Sequence, residues 1–191
     1  MTTSAPRWIY AFAEGDGRNK MLLGGKGANL CEMTRIGLNV PPGFVITTEA
    51  CLACLGDAQR NLPAGLLDAA RTEMASLERQ TGKRFGGGDD PLLVSVRSGS
   101  AMSMPGMMDT ILNLGLNQTT LAALIRHTGN ERFGYDAWRR FIQLFGKVAL
   151  GVPDALFDEQ FEAVKSRVGV KQDVMLGADE LREIGERFLQ V

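Results

Sequence analysis

Two cationic side chains stand where they could meet an anion. The first, Lys26, lies in LLGGKGANL (residues 22–30), flanked by Gly24, Gly25 and Gly27 just ahead of a helical pattern. Glycines let backbone N–H groups approach phosphate oxygens, an ammonium adds charge, and a helix N-terminus adds its dipole. The spacing is not that of the G-x-x-x-x-G-K-[ST] loop, because Gly27 follows the lysine and the place of that motif's first glycine holds Lys20. On spacing, a phosphate loop and an ordinary glycine turn both fit.

The second cation, Arg97, closes the apolar run LLVSVRS. An arginine there must send its guanidinium to solvent, a carboxylate or a ligand. Its planar fork of donors suits phosphate, and an ion pair with an acid such as Asp109 fits the same position. Asp109 and Thr110, just past the loop SGSAMSMPGMM, read either as polar contacts to a nucleotide or as turn and cap residues. Met102, Met104, Met107 and Met108 suit flexible apolar filling beneath a moving loop, or plain packing of that loop.

The remaining reactive types offer less. His127 is the only histidine; it sits in LIRHTGN, where a helix should end before a glycine turn, and a cation there complements the helix C-terminus. With no base, metal cluster or nucleophile motif beside it, the chain has no self-contained catalytic constellation. Cys51 and Cys54 form C-x-x-C, but TTEACLACL has the pattern of an amphipathic helix. With Cys31 they read as buried reduced thiols of a cytosolic protein rather than as a redox or zinc pair.

The elements that would position these residues change character near Leu116. Before it, Trp8 to Phe12 predicts a strand, GDGRNKMLLGGKGANL a glycine-rich loop, and residues 28–36 a helix. PPGFVIT predicts a second strand, and Leu66, Leu67, Ala70, Met74 and Leu77 recur at helical spacing. After the break at GGGDD and Pro91, alternation sets Leu92, Val94 and Val96 on one face and Leu93, Ser95 and Arg97 on the other. TILNLGL predicts a further strand. Beyond Leu116 the period is helical: Phe133, Ala137, Phe141, Leu144, Phe145 and Val148 trace a core-facing helix starting after Asn130. Phe157, Phe161 and Val164 mark the next. Leu181, Ile184 and Phe188 mark a third that still runs at Val191 without a cap, which gives the expectation of a segment of something longer.

Composition bounds the rest. At 191 residues, 45% hydrophobic and 23% charged, the chain can bury a sizeable core, and a formal net charge of -1 gives no basic footprint for nucleic acid. No apolar run reaches the roughly 20 residues of a membrane span, and MTTSAPRWIY is not a secretory signal. The expectation is a cytoplasmic α+β protein with neither membrane nor nucleic-acid partners.

Two stretches carry a resemblance: LLGGKGANLCEM, and DPLLVSVRSGSAMSMPGMMDTILNLGLN. Together they resemble the N-terminal nucleotide-binding part of the pyruvate, phosphate dikinases, and TGNERFGYDAWRRFIQLFGKVALGV is similar to the family's next region. Phosphoenolpyruvate synthases share the GGK loop and the SVRS strand but lack SMPGMMDT. The resemblance implies the first lobe of an ATP-grasp-like domain over residues 1–116 and a mostly helical subdomain over 117–191. It implies that Lys26 and Arg97 meet ATP phosphates, with Gly24, Gly25, Gly27, Ser98, Met104, Asp109 and Thr110 as lesser contacts and Mg²⁺ bridging phosphate oxygens. Family chemistry converts ATP, phosphate and pyruvate to AMP, diphosphate and phosphoenolpyruvate through a phosphohistidine. The second lobe, the phosphohistidine and pyruvate domains and most metal ligands would be partners lying outside this chain, which alone should not catalyse the overall reaction. A homodimer is implied for the parent, and a monomer is the expectation for this chain. A stand-alone nucleotide-binding or interaction module is the other reading.

Overall fold

The structure, a computed structural model, describes residues 6–99 and 110–191. They form two compact units, residues 6–82 with 98–99, and residues 83–97 with 110–191.

The first unit runs β1 (Ile9–Ala11), α1 (Lys20–Arg35), β2 (Phe44–Ile46), α2 (Thr48–Gly56) and α3 (Leu66–Thr81). The strands pair antiparallel, with Tyr10 opposite Val45. Because alternate strand residues face opposite ways, the ribbon divides two small cores. Ile9 and Phe44 pack with Ala50 of α2 and Leu66 of α3. Tyr10 and Val45 pack with Leu23, Ala28 and Cys31 of α1. Trp8 locks the first core by donating its indole N–H to the Ala64 carbonyl at 3.0 Å.

The glycine-rich segment departs from the expected loop. The α1 helix starts at Lys20, where the Asn19 side chain accepts from the Leu22 N–H at 3.1 Å, and runs to Arg35. One residue interrupts it: Gly24, at φ 67° and ψ 164°, a conformation that costs glycine nothing and other residues a Cβ clash. Glycine composition reads as loop, but a single left-handed residue is enough to turn the chain before the helix resumes.

The second unit runs β3 (Arg84–Phe85), β4 (Pro91–Leu92), β5 (Val94–Arg97), β6 (Thr110–Leu114), α4 (Gln118–Thr128), α5 (Glu131–Ala149), α6 (Asp154–Val168), a 3₁₀ turn (Asp173–Met175) and α7 (Ala178–Phe188). The strands β3 and β4 are parallel, β5 and β6 antiparallel. The expected even alternation through Leu92–Arg97 is not kept. The ladder steps from Val94 opposite Leu114 to Val96 opposite Ile111, so β6 carries one extra residue, and Asn113 in that stretch has φ 58°. This is a bulge, and Val96 stays 46% exposed while Ile111 is buried.

The helices follow their periodicity. The Asn117 side chain accepts from the Thr120 N–H at 2.9 Å while the Asn117 N–H donates to Thr120 Oγ1 at 2.7 Å, a reciprocal cap. The Asn130 side chain caps α5 through the Phe133 N–H at 2.9 Å. Phe157, Phe161, Leu176, Leu181, Ile184 and Phe188 form the main buried cluster. Three helical glycines admit neighbours: a Cβ on Gly134 would lie 2.4 Å from Ile125, on Gly146 2.6 Å from Phe157, and on Gly185 2.8 Å from Trp138. The α7 helix closes at Phe188 rather than running to Val191. Among the described residues no helix is long and apolar enough to cross a membrane.

Candidate functional site

The interruption of α1 separates donors from acceptors. In an unbroken helix the Gly25 and Lys26 N–H groups would donate to the Met21 and Leu22 carbonyls, four residues back. Gly24 breaks that geometry, and Gly25, Lys26 and Gly27 form the first turn after it, the position at which helical N–H groups generally lack a partner four residues back. The carbonyls are served from elsewhere: Thr48 Oγ1, at the start of α2, lies 2.5 Å from the Met21 oxygen, to which it donates, and 3.3 Å from that of Leu22. Thr47 meanwhile caps α2 by accepting from the Ala50 N–H at 3.2 Å, and its own N–H donates to the Trp8 carbonyl at 2.9 Å, tying the junction to β1.

Lys26 is half-buried, and among the described residues nothing pairs with its ammonium. Gly24 is buried, Gly25 and Gly27 half-buried. Gly27 is required by packing, since a Cβ there would sit 2.7 Å from Val45 Cγ1 on β2. The loop therefore presses against the ribbon, and its open first turn carries one cation and several N–H dipoles. That arrangement can bind an anion.

Arg97 belongs to the second unit. It is exposed at the end of β5, directly across the ladder from Thr110 at the start of β6, and among the described residues it has no ion pair. Ser98 follows it and is also exposed. The structure thus places Lys26 with Gly24, Gly25 and Gly27 on one turn, and Arg97 with Thr110 on one ladder. Met104 and Asp109 lie outside the described residues, as do Met102, Met107 and Met108.

His127 lies in the last turn of α4, before Gly129 at φ 62°, where its expected helix-end place is met. The cysteines differ from expectation: Cys31 is buried, and burial pushes its thiol pKa up, but Cys51 is exposed and Cys54 only half-buried, its Sγ donating to the Arg60 carbonyl at 3.3 Å. Among the described residues no three His, Cys, Asp or Glu stand together as a metal site. Thr48 is the residue sequence reasoning missed. Its partners are 26 and 27 positions away, and only its place in a Thr-Thr pair at a helix start hinted at two caps.

A family model described as pyruvate phosphate dikinase, AMP/ATP-binding domain, matches residues 20–66, which span the broken helix, β2 and α2. Over 182 residues the chain is 55% identical to the pyruvate, phosphate dikinase of Entamoeba histolytica, covering 95% of the chain and 20% of that protein. By sequence the chain is similar to pyruvate, phosphate dikinases along nearly its whole length. It is 46% identical over 185 residues to the pyruvate, phosphate dikinase of Clostridium symbiosum, covering 97% of the chain and 21% of the relative. With the chloroplastic pyruvate, phosphate dikinase 1 of Arabidopsis thaliana it shares 49% over 191 residues, 98% of the chain and 20% of the relative. The chain spans about one fifth of the length of these dikinases.

Proposed function

We propose that this chain is the ATP-binding first lobe of a pyruvate, phosphate dikinase, with an ATP-grasp-like site in which Lys26 and Arg97 each meet phosphate oxygens. The observation that carries the reading is the interrupted α1: a lysine without an ion pair among the described residues, on the turn that follows Gly24, inside the stretch that matches an AMP/ATP-binding model. Gly25, Lys26 and Gly27 would donate backbone N–H groups and one ammonium to the polyphosphate. Arg97, exposed beside Thr110, would add a planar fork. Fixed donors of this kind offset the charge that develops on a transferring phosphoryl group without reorganising. Gly24, Ser98, Met104, Asp109 and Thr110 complete the proposed contacts by family resemblance.

In the whole protein this lobe would serve the conversion of ATP, phosphate and pyruvate to AMP, diphosphate and phosphoenolpyruvate through a phosphohistidine. The second lobe would supply most of the Mg²⁺ ligands.

Isothermal titration of MgATP into the chain, beside Lys26→Ala and Arg97→Ala, tests the reading. Binding that weakens roughly tenfold or more in each variant, the scale of a lost charge-assisted hydrogen bond, with unchanged circular dichroism, is the expected outcome. Variants that bind as tightly as the wild type would remove both residues from the phosphate contacts.

A further inference from the structure

We infer that Thr48 is a positioning residue for the nucleotide loop: its hydroxyl stands in for the Gly25 and Lys26 N–H groups on the Met21 and Leu22 carbonyls, leaving those N–H groups to face the ligand. The inference rests on the proposed ATP site and says how that site is held open.

Three observations carry it. Gly24 alone within α1 has non-helical angles, at φ 67° and ψ 164°, and it lies between the carbonyls of residues 21–22 and the N–H groups of residues 25–26 that a regular helix would pair. Thr48 Oγ1 approaches those same two carbonyls, at 2.5 and 3.3 Å. The hydroxyl is itself fixed, because Thr48 opens α2 directly after Thr47, whose side chain caps that helix and whose N–H is bound to Trp8. The Met21 carbonyl lies at an exposed position and that of Leu22 at a part-buried one, and a carbonyl cut from its helical partner takes the donor held beside it. Without the Thr48 hydroxyl, the nearest donors in sequence are the Gly25 and Lys26 N–H groups, and regaining the regular ladder would turn them inward, away from an anion. Thr48 touches no phosphate in this scheme. It acts through the backbone of the loop.

The test uses the 191-residue chain with Thr48→Val, which keeps the shape and removes the hydroxyl, and Thr48→Ser, which keeps the hydroxyl. Amide hydrogen exchange at Gly25 and Lys26 is read without nucleotide, alongside MgATP titration. Thr48→Val should slow exchange at these two amides several-fold while destabilising the fold elsewhere. It should also weaken MgATP binding roughly tenfold, the scale of one net hydrogen bond. Thr48→Ser should match the wild type in both. A purely structural role would speed exchange throughout the first unit and leave no selective slowing at Gly25 and Lys26, and that result overturns the inference. If Thr48→Val proves unfolded, Thr48→Ser decides with Lys26 amide exchange: a serine variant whose loop amides differ from the wild type overturns it, and one that matches supports it. Where the wild type itself binds no MgATP, the ATP reading falls, and selective slowing in Thr48→Val still upholds Thr48 as the residue that keeps the turn open.

Discussion

At the scale of single residues, the loop's glycines do different work. Gly24 is there for its backbone angles and Gly27 for its lack of a side chain, since any Cβ would meet Val45 at 2.7 and 2.9 Å. Gly27→Ala should therefore cost about 1–3 kcal/mol by overpacking the ribbon. Gly56→Ala, at the end of α2 with nothing within 4 Å of the added Cβ, should be neutral or slightly stabilising. Urea midpoints of the two variants check this, and a Gly27→Ala protein as stable as the wild type would refute it. These distinctions were only half legible in the sequence. Lys26 and its flanking glycines stood out as a possible anion site, but one glycine's sign of φ is a tertiary outcome. So is the Thr48 bond, made across more than twenty residues, which no local pattern encodes.

At the scale of elements, periodicity did well where burial and helix geometry agree. Of the face expected on α5, Ala137 is buried and Phe141, Leu144, Phe145 and Val148 are half-buried, but Phe133, in the first turn, is exposed; Phe157, Phe161 and Val164 lie buried on α6. It did less well in short strands, where a bulge on β6 outweighs alternation and leaves Val96 exposed. The glycines within α5 and α7 were silent in the sequence because their reasons, Ile125, Phe157 and Trp138, sit on other elements or far along the chain.

The start of α6 carries a pH-dependent clasp. Asp154 accepts from Lys147 Nζ at 2.7 Å and from Gln143 Nε2 at 3.0 Å, and these two bonds, the lysine's first, hold its carboxyl below the ordinary value of 3.8. A depressed folded pKa adds stability above the unfolded value, and that increment is lost as pH falls through the folded one. The pair is more than 40% exposed on both sides, so screening keeps the increment at or below about 1 kcal/mol. Asp154→Asn should lower the urea midpoint at neutral pH, and the gap to wild type should close as pH falls below 3.8. A gap that stays constant with pH would show that the carboxylate charge plays no part.

At the scale of the whole molecule, the described residues form two units with separate cores. The first has two small clusters about a two-stranded ribbon; the second has a larger one built of aromatic and branched side chains from α6 and α7. Burial of apolar area is the main source of stability, so the second unit should be the more robust. The sequence showed a change of character but set it at Leu116, following where strands give way to helices. The compact units follow spatial neighbours instead, and β3 to β6 fall in with the helices after them.

Trp8 and Trp138, the chain's only tryptophans, fall one to each unit. One indole is bonded to the Ala64 carbonyl; the other stacks near Phe141 and covers Gly185. Each unit thus carries its own intrinsic fluorophore. Trp138→Phe leaves emission that reports on the ribbon, and Trp8→Phe leaves emission that reports on the helices. Followed in urea, the Trp8 signal should change at lower denaturant than the Trp138 signal, and superimposed curves would instead mean that the two cores melt as one cooperative body.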